Sequence, residues 1–357
     1  MATLQNYKDC FKSKLAEAAR IINGHITDGV PDGELISVIR ALRYMNPEHL
    51  QADYNDLLTN AVYLIKYYAY AAEYAVMFNS VINREMDAKR DSEEYIRRIS
   101  PVTFGCGSFN STWSLGFDFA CRKDFNPRFN YSVPEVDTGV DLARWPLTFD
   151  MSQYPGHIST VLAQTDIVSY ISEHLNGDVN LLSFNKILNE LPDHAVDGIV
   201  DALRRRAEEG LFSGGVYYLC ISHSKSEYDG KDGVKAIAGR LADAVNVNNE
   251  FDVDDTVPEC FYGNRFSSNR LAKMKVIDPQ TSTKCYCFNS SANDKYLPVS
   301  CLFDGAFEVT GEVSDLINVL DEYVQAHMPG DEFRVIRTTS QIRLQVIRLT
   351  RRTGGDI

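Results

Sequence analysis

Between Asn46-Pro47 and Ser100-Pro101 the chain runs for about fifty residues without a single proline or glycine. A stretch this free of breakers is a demand for helix, and it is longer than a typical globular helix, so two helices bending near Asn79 to Asn83 are expected. Asn46-Pro47-Glu48 has the composition of a helix start, with a capping side chain, a proline in the first turn and an acid at the positive end of the dipole. The most apolar part, Ala61 to Ile82, approaches the length of a membrane span. It carries Lys66, Glu73 and five tyrosines, which fits a buried helix and not a lipid-facing one.

The segments before this stretch are helical too. Lys8 to Ile22 puts Phe11, Leu15, Ala18, Ala19 and Ile22 on one face, and Asp32 to Tyr44 repeats the pattern with Leu35, Ile36, Ile39 and Leu42. Pro101 to Pro155 then changes to glycine, proline and aromatics. In it Trp113, Leu115, Phe117, Phe119 and Cys121 alternate, which predicts a strand.

Helical spacing is expected over Ile158 to Leu175, Leu181 to Leu191 and Ala195 to Glu209, and again over Asp232 to Val245 and Val313 to His327. Strands are expected at Val216 to Ile221, Ala272 to Ile277, Lys284 to Phe288 and around Pro298 to Phe303. A closing hairpin would pair Phe333 to Arg337 with Ile342 to Leu349 across Thr338 to Gln341. The fold class is therefore α+β. A helical region spans 1–100, an aromatic β/loop connector 101–155, a second helical region 156–210 and an α+β region ending in a β-hairpin 211–357.

The N-terminus has no apolar run after its charges, so no export signal is expected there, and eight dispersed cysteines then suit reduced thiols and a cytoplasmic location. No metal site is expected. Cys285 and Cys287 are one residue apart, closer than zinc ligands usually sit, and the acids of Phe251 to Asp255 lack the calcium-loop pattern. No cofactor is expected either, because Gly105-Cys106-Gly107 lacks a third glycine, a predicted following helix and a phosphate-binding lysine.

Two features carry the functional reading. The net charge of −13 opposes general nucleic-acid binding. Yet Arg334, Arg337, Arg343, Arg348, Arg351 and Arg352 lie in a segment, Phe333 to Gly355, without one acid, a local basic surface that can grip phosphate. The other feature is His223 in Ser222-His223-Ser224, at the end of an apolar strand, where reacting side chains are often placed.

From Ser222-His223-Ser224 through Asp278 to Cys287 and Val313-Ser-Asp-Leu-Ile317, the order of residues resembles the C-terminal domain of the nidoviral uridylate-specific endoribonucleases. The resemblance covers about a third of the chain and implies RNA cleavage by two histidines and a lysine, of which His223 and Lys284 correspond. No second histidine follows at the required place, Phe288 stands where a hydroxyl residue is expected, and no tyrosine follows Tyr323.

With no complete catalytic set, the expected function is a non-enzymatic, self-assembling structural protein of coat, capsid or scaffold type. A viral shell protein fits it. This protein would form homo-oligomers, keep clear of membranes, and turn its arginine hairpin toward RNA or an acidic neighbour. An endoribonuclease-like enzyme using His223 and Lys284 is the alternative.

Overall fold

The computed structural model describes residues 2–26, 31–43, 52–68, 70–71, 74–75, 78, 99–105, 107, 109–121, 131–138, 150–188, 190–224, 233–256, 259–263, 273–277, 297–298, 311–328 and 339–352. Among the described residues, helices pack on one mixed sheet.

Three helices open it: α1 (Leu4–Asn23), α2 (Gly33–Arg43) and α3 (Leu57–Tyr67). A reciprocal capping box starts α1, in which the Asn6 amide N–H donates to Thr3 Oγ1 and the Thr3 N–H donates to Asn6 Oδ1. Asp56 caps α3 by accepting from the Thr59 N–H at 2.8 Å.

Five parallel strands form one half of the sheet: β1 (Pro101–Phe104), β2 (Tyr131–Val136), β3 (Ile158–Ala163), β4 (Leu181–Asn185) and β5 (Val216–Ser224). Their spatial order is β3-β2-β1-β4-β5. The other half is antiparallel, with β6 (Phe251–Thr256), β7 (Glu259–Gly263), β8 (Lys273–Ile277), β9 (Leu297–Pro298) and β10 (Thr339–Arg351). β10 lies against β5 along one edge and against β7 and then β6 along the other.

Both faces are covered, as a parallel sheet requires. One face packs against α1, α3, α4 (Asn110–Cys121) and α7 (Glu312–His327). The opposite face packs against α5 (Asp193–Glu208), α6 (Val234–Val245) and a helical turn over Tyr170–His174. Within β5 the alternation is clean: Tyr218 and Cys220 enter the first core, and Tyr217, Leu219 and Ile221 the second.

Several expected elements are corrected. Trp113 to Cys121 lies in helix α4, not a strand. All residues from Asn110 to Phe117 are buried, so this helix has no polar stripe to reveal its period, and the alternation of aromatics is incidental. Trp113 and Phe117, one turn apart, both meet Phe11 of α1, at 4.9 and 5.5 Å between ring centroids.

Leu181 to Leu191 is not a helix. Its first half is β4, five residues buried throughout, and a short apolar run of that kind has no period that separates helix from strand. Ile158 to Leu175 divides into edge strand β3 and, after Asp166, a short helical stretch in which the Asp166 carboxylate accepts from the Ser169 N–H and hydroxyl. The turn expected at Thr338 to Gln341 is also corrected, because Thr339 and its successors are already part of the continuous strand β10. The expected strand Lys284 to Phe288 and the expected bend near Asn79 to Asn83 lie outside the described residues. One sheet joins strands from all three segments 101–155, 156–210 and 211–357.

Candidate functional site

The strand order reverses at β1. From β1 the chain winds outward to β2 and β3, then returns past β1 to β4 and winds the other way to β5. Loops leaving β1 and β4 therefore diverge to opposite sides, and a crevice opens outside the carboxyl ends of these strands.

The backbone at this point is unusual. Gly105 and Gly107 after β1 have φ of +75° and +50°, Phe109 has +57°, and Lys186 at the end of β4 has +58°. Only glycine adopts this region freely, so holding Phe109 and Lys186 there costs about 1–2 kcal/mol each. Hydrogen bonds pin both turns: the Gly105 N–H donates to the Val136 carbonyl at 2.9 Å, and the Lys186 N–H to the Ser222 carbonyl at 3.0 Å.

Neighbours approach the glycines closely. A Cβ on Gly105 would sit 3.0 Å from Ile187 Cδ1, and one on Gly107 would sit 2.8 Å from Tyr63 Oη. Helix α4 begins directly after this turn, at Asn110, so its amino-terminal N–H groups face the crevice.

The helical N-terminal region supplies a wall. Tyr63, Tyr67 and Tyr70 form a ladder with ring centroids 4.5 and 5.1 Å apart. Asn110 Nδ2 donates to the Tyr67 carbonyl at 3.2 Å, and Lys186 Nζ lies 4.6 Å from the centre of the Tyr70 ring. Burial pushes the Tyr63 hydroxyl well above the usual phenol range, with Tyr54, Tyr67 and Glu190 adding to the shift.

Asp137 follows β2 directly, partly exposed, with its N–H donated to the Ala163 carbonyl. Beneath the turn lies a polar row. Glu135 of β2, Thr103 of β1 and Ser183 of β4 are laterally in register, and all three are buried. Thr112 of α4 donates its hydroxyl to Glu135 Oε1 at 2.6 Å, and Thr160 donates to Thr112 at 3.1 Å. Asn185 Nδ2 reaches Ser183 Oγ at 2.7 Å and Ser111 Oγ at 3.0 Å. Burial raises the Glu135 carboxyl to about 8, partly offset by the bonds from Thr112.

His223 is in β5, opposite Arg343 of β10, and its side chain is outside the described set. Lys284, Arg334 and Arg337 also lie outside the described residues. Arg351 donates to Glu250 at 2.8 Å and to the Ser213 carbonyl at 2.7 Å, while Arg352 donates to Asp252 at 2.8 Å. Arg348 is paired in register with Asp254. The acids of Phe251 to Asp255 are thus strand β6, laid against the basic strand.

Among the described residues one group of possible metal ligands converges, His25, Asp32 and Glu34. There Asp32 Oδ1 is already committed to the Glu34 and Leu35 N–H groups at the start of α2.

Sequence alone discounts the Gly105 and Gly107 pair and does not single out Asp137 and Glu135, because the aromatic alternation after the glycines mimics a strand where the chain forms helix α4. The available signal was an apolar strand, two glycines, a helix, and acids about thirty residues on.

No family model matches the chain, and no curated protein matches it. Solved structures do match. A SAM-dependent methyltransferase from Archaeoglobus fulgidus is 11% identical over 75% of this chain and 94% of its own, with a TM-score of 0.30. A loganic acid methyltransferase with SAH is 11% identical over 85% and 98%, with a TM-score of 0.33. A DUF574 family protein from Streptomyces avermitilis is 20% identical over 59% and 75%, with a TM-score of 0.27. The crevice follows from this chain's own strand order.

The expectation of a non-enzymatic coat, capsid or scaffold protein is corrected. The chain is built around a doubly wound parallel half-sheet whose strand order reverses at β1, the kind of switch point outside which ligands bind. No helix among the described residues is long and apolar enough to cross a membrane.

Proposed function

We propose that the chain is a Rossmann-like methyltransferase, binding an S-adenosyl nucleoside in the crevice outside β1, β2 and β4. The observation that carries this reading is the left-handed glycine turn at the switch point, with Asp137 on the neighbouring strand end.

The residues present fit such a group. Glycines at 105 and 107 let a ligand approach the backbone, and in this reading the carboxylate of Asp137, partly exposed just past the end of β2, accepts hydrogen bonds from ribose hydroxyls. A dinucleotide suits the site less well. Its pyrophosphate turn uses a third glycine where this chain has Asn110, whose amide is already bonded to the Tyr67 carbonyl. An S-adenosyl group has no phosphate to cradle, and its sulfonium is favoured by a carboxylate such as Asp137.

When bound, S-adenosylmethionine supplies an electrophilic methyl group. The chain's own residues hold the nucleoside between the glycine turn and Asp137, and the tyrosine wall narrows access of water from the side of α3.

Isothermal titration with S-adenosylhomocysteine tests the reading, with NAD as the control ligand. Saturable binding of the first, weakened about tenfold or more by Asp137→Ala, is expected from the loss of charged hydrogen bonds. Binding of NAD alone, or of neither, would overturn it.

A further inference from the structure

Glu135 does not take part in the contacts assigned to the nucleoside, yet it is a carboxyl group with no exposed surface in the middle of the sheet. One of its oxygens is used: Oε1 accepts from Thr112, at the head of α4, and Thr112 in turn accepts from Thr160 of β3. The other, Oε2, is buried and has no partner among the described residues, and the same is true of Thr103 Oγ1. These two atoms belong to residues in register on adjacent strands, so both side chains rise from the same face toward α4. Thr103 is two residues before Gly105, and Thr112 is three after Phe109. The carboxyl therefore stands between the two ends of the left-handed turn.

We infer that Glu135 is a positioning residue, protonated in the working protein, which fixes the glycine turn by accepting from Thr112 and donating from Oε2 through one ordered buried water to Thr103 Oγ1. The polar site between adjacent strands offers that water two partners, and satisfying them removes two otherwise orphaned oxygens. An ionised carboxylate cannot donate. On losing its proton Glu135 would stand as a buried charge held by Thr112 alone, and the turn it supports would open to admit solvent.

Among the described side chains, the one charged group acting on Glu135 is Asp137, just past the end of its strand, which favours the protonated form. The groups facing it from α4, β1 and β3 are the neutral hydroxyls of Thr112, Thr103 and Thr160.

The inference rests on the nucleoside reading only for its effect on binding, so the test has a ligand-free arm. With Trp145→Phe as background, Trp113, the residue after Thr112, reports the position of α4 by its emission. The full chain should show an emission transition near pH 8, and Glu135→Gln, which keeps a donor and an acceptor but cannot ionise, should show none. S-adenosylhomocysteine affinity should fall about tenfold between pH 7 and pH 9 in the parent protein and stay level in Glu135→Gln.

No transition in the ligand-free parent, or the same transition in both proteins, would overturn the role of Glu135. A ligand-free transition that Glu135→Gln abolishes supports the role even if S-adenosylhomocysteine binds neither protein at any pH, a result that would sink the nucleoside reading alone.

Discussion

The two faces of the parallel half-sheet are built from the same strands and differ in chemistry. Toward α5 and α6, Val102, Phe104, Leu182, Phe184, Leu219 and Ile221 make a wholly apolar layer, with Phe104 and Phe184 stacked at 4.7 Å. Toward α4 the same strands present Thr103, Glu135, Ser183, Asn185 and Ser222, every one of them buried. One face stabilises through burial alone, at roughly 25 cal/mol per Å². The other accepts a desolvation cost in order to hold a backbone turn in a conformation that most residues avoid, directly below the crevice. The lesson is that polarity inside this sheet marks the side on which position matters more than stability.

The largest expected effect breaks the apolar face. Phe184→Ala should cost about 3–5 kcal/mol of unfolding free energy, measured by chemical denaturation, because it removes the stack on Phe104 and leaves a cavity that neighbours cannot fill. Its neighbour Ser183 points to the opposite face, and Ser183→Ala should cost about 1 kcal/mol, the loss of the bond from Asn185.

Next in size is the pH dependence of the polar face. Glu135 is raised from 4.5 to about 8 in the fold, so between those values the folded protein holds a proton that the unfolded chain has released. Its contribution is complete below about pH 4.5 and is lost as pH rises to 8, on the order of 5 kcal/mol at most. Denaturation of Glu135→Gln across the same range should lack that slope.

Smaller effects sharpen the comparison at single atoms. Thr112→Val removes the donor to Glu135 and should cost about 1–2 kcal/mol. Gly107→Ala should cost about as much, from a φ of +50° and a Cβ only 2.8 Å from Tyr63 Oη. Combining it with Tyr63→Phe should recover the part due to the hydroxyl, a non-additivity visible in a double-mutant cycle.

Sequence made the amphipathic helices legible. The observed α1, α2, α6 and α7 lie within a few residues of their expected spans because each has one buried stripe and one wet face. It failed where burial is complete. β4, and α4 from Asn110 to Phe117, are buried throughout, so burial imposes no readable period: β4 shows none, the alternation in α4 is incidental, and the local pattern points to the wrong type for each. That pair of errors hid the site, because a glycine turn means little until a strand is known to precede it and a helix to follow. Asp137 and Glu135 were invisible for a related reason: their meaning depends on β2 lying beside β1, a pairing across about thirty residues that no local pattern encodes. The arginine segment was legible as basic, but its Arg351 and Arg352 partners, Glu250 and Asp252, lie about a hundred residues away.

The most direct test of the central claim is a crystal structure of the full chain grown with S-adenosylhomocysteine. The account predicts density for the nucleoside between the Gly105 to Gly107 turn and Asp137, with ribose oxygens within hydrogen-bond distance of the Asp137 carboxylate. Density at another place on the protein, or a crevice filled by the chain's own side chains at saturating ligand, would contradict it.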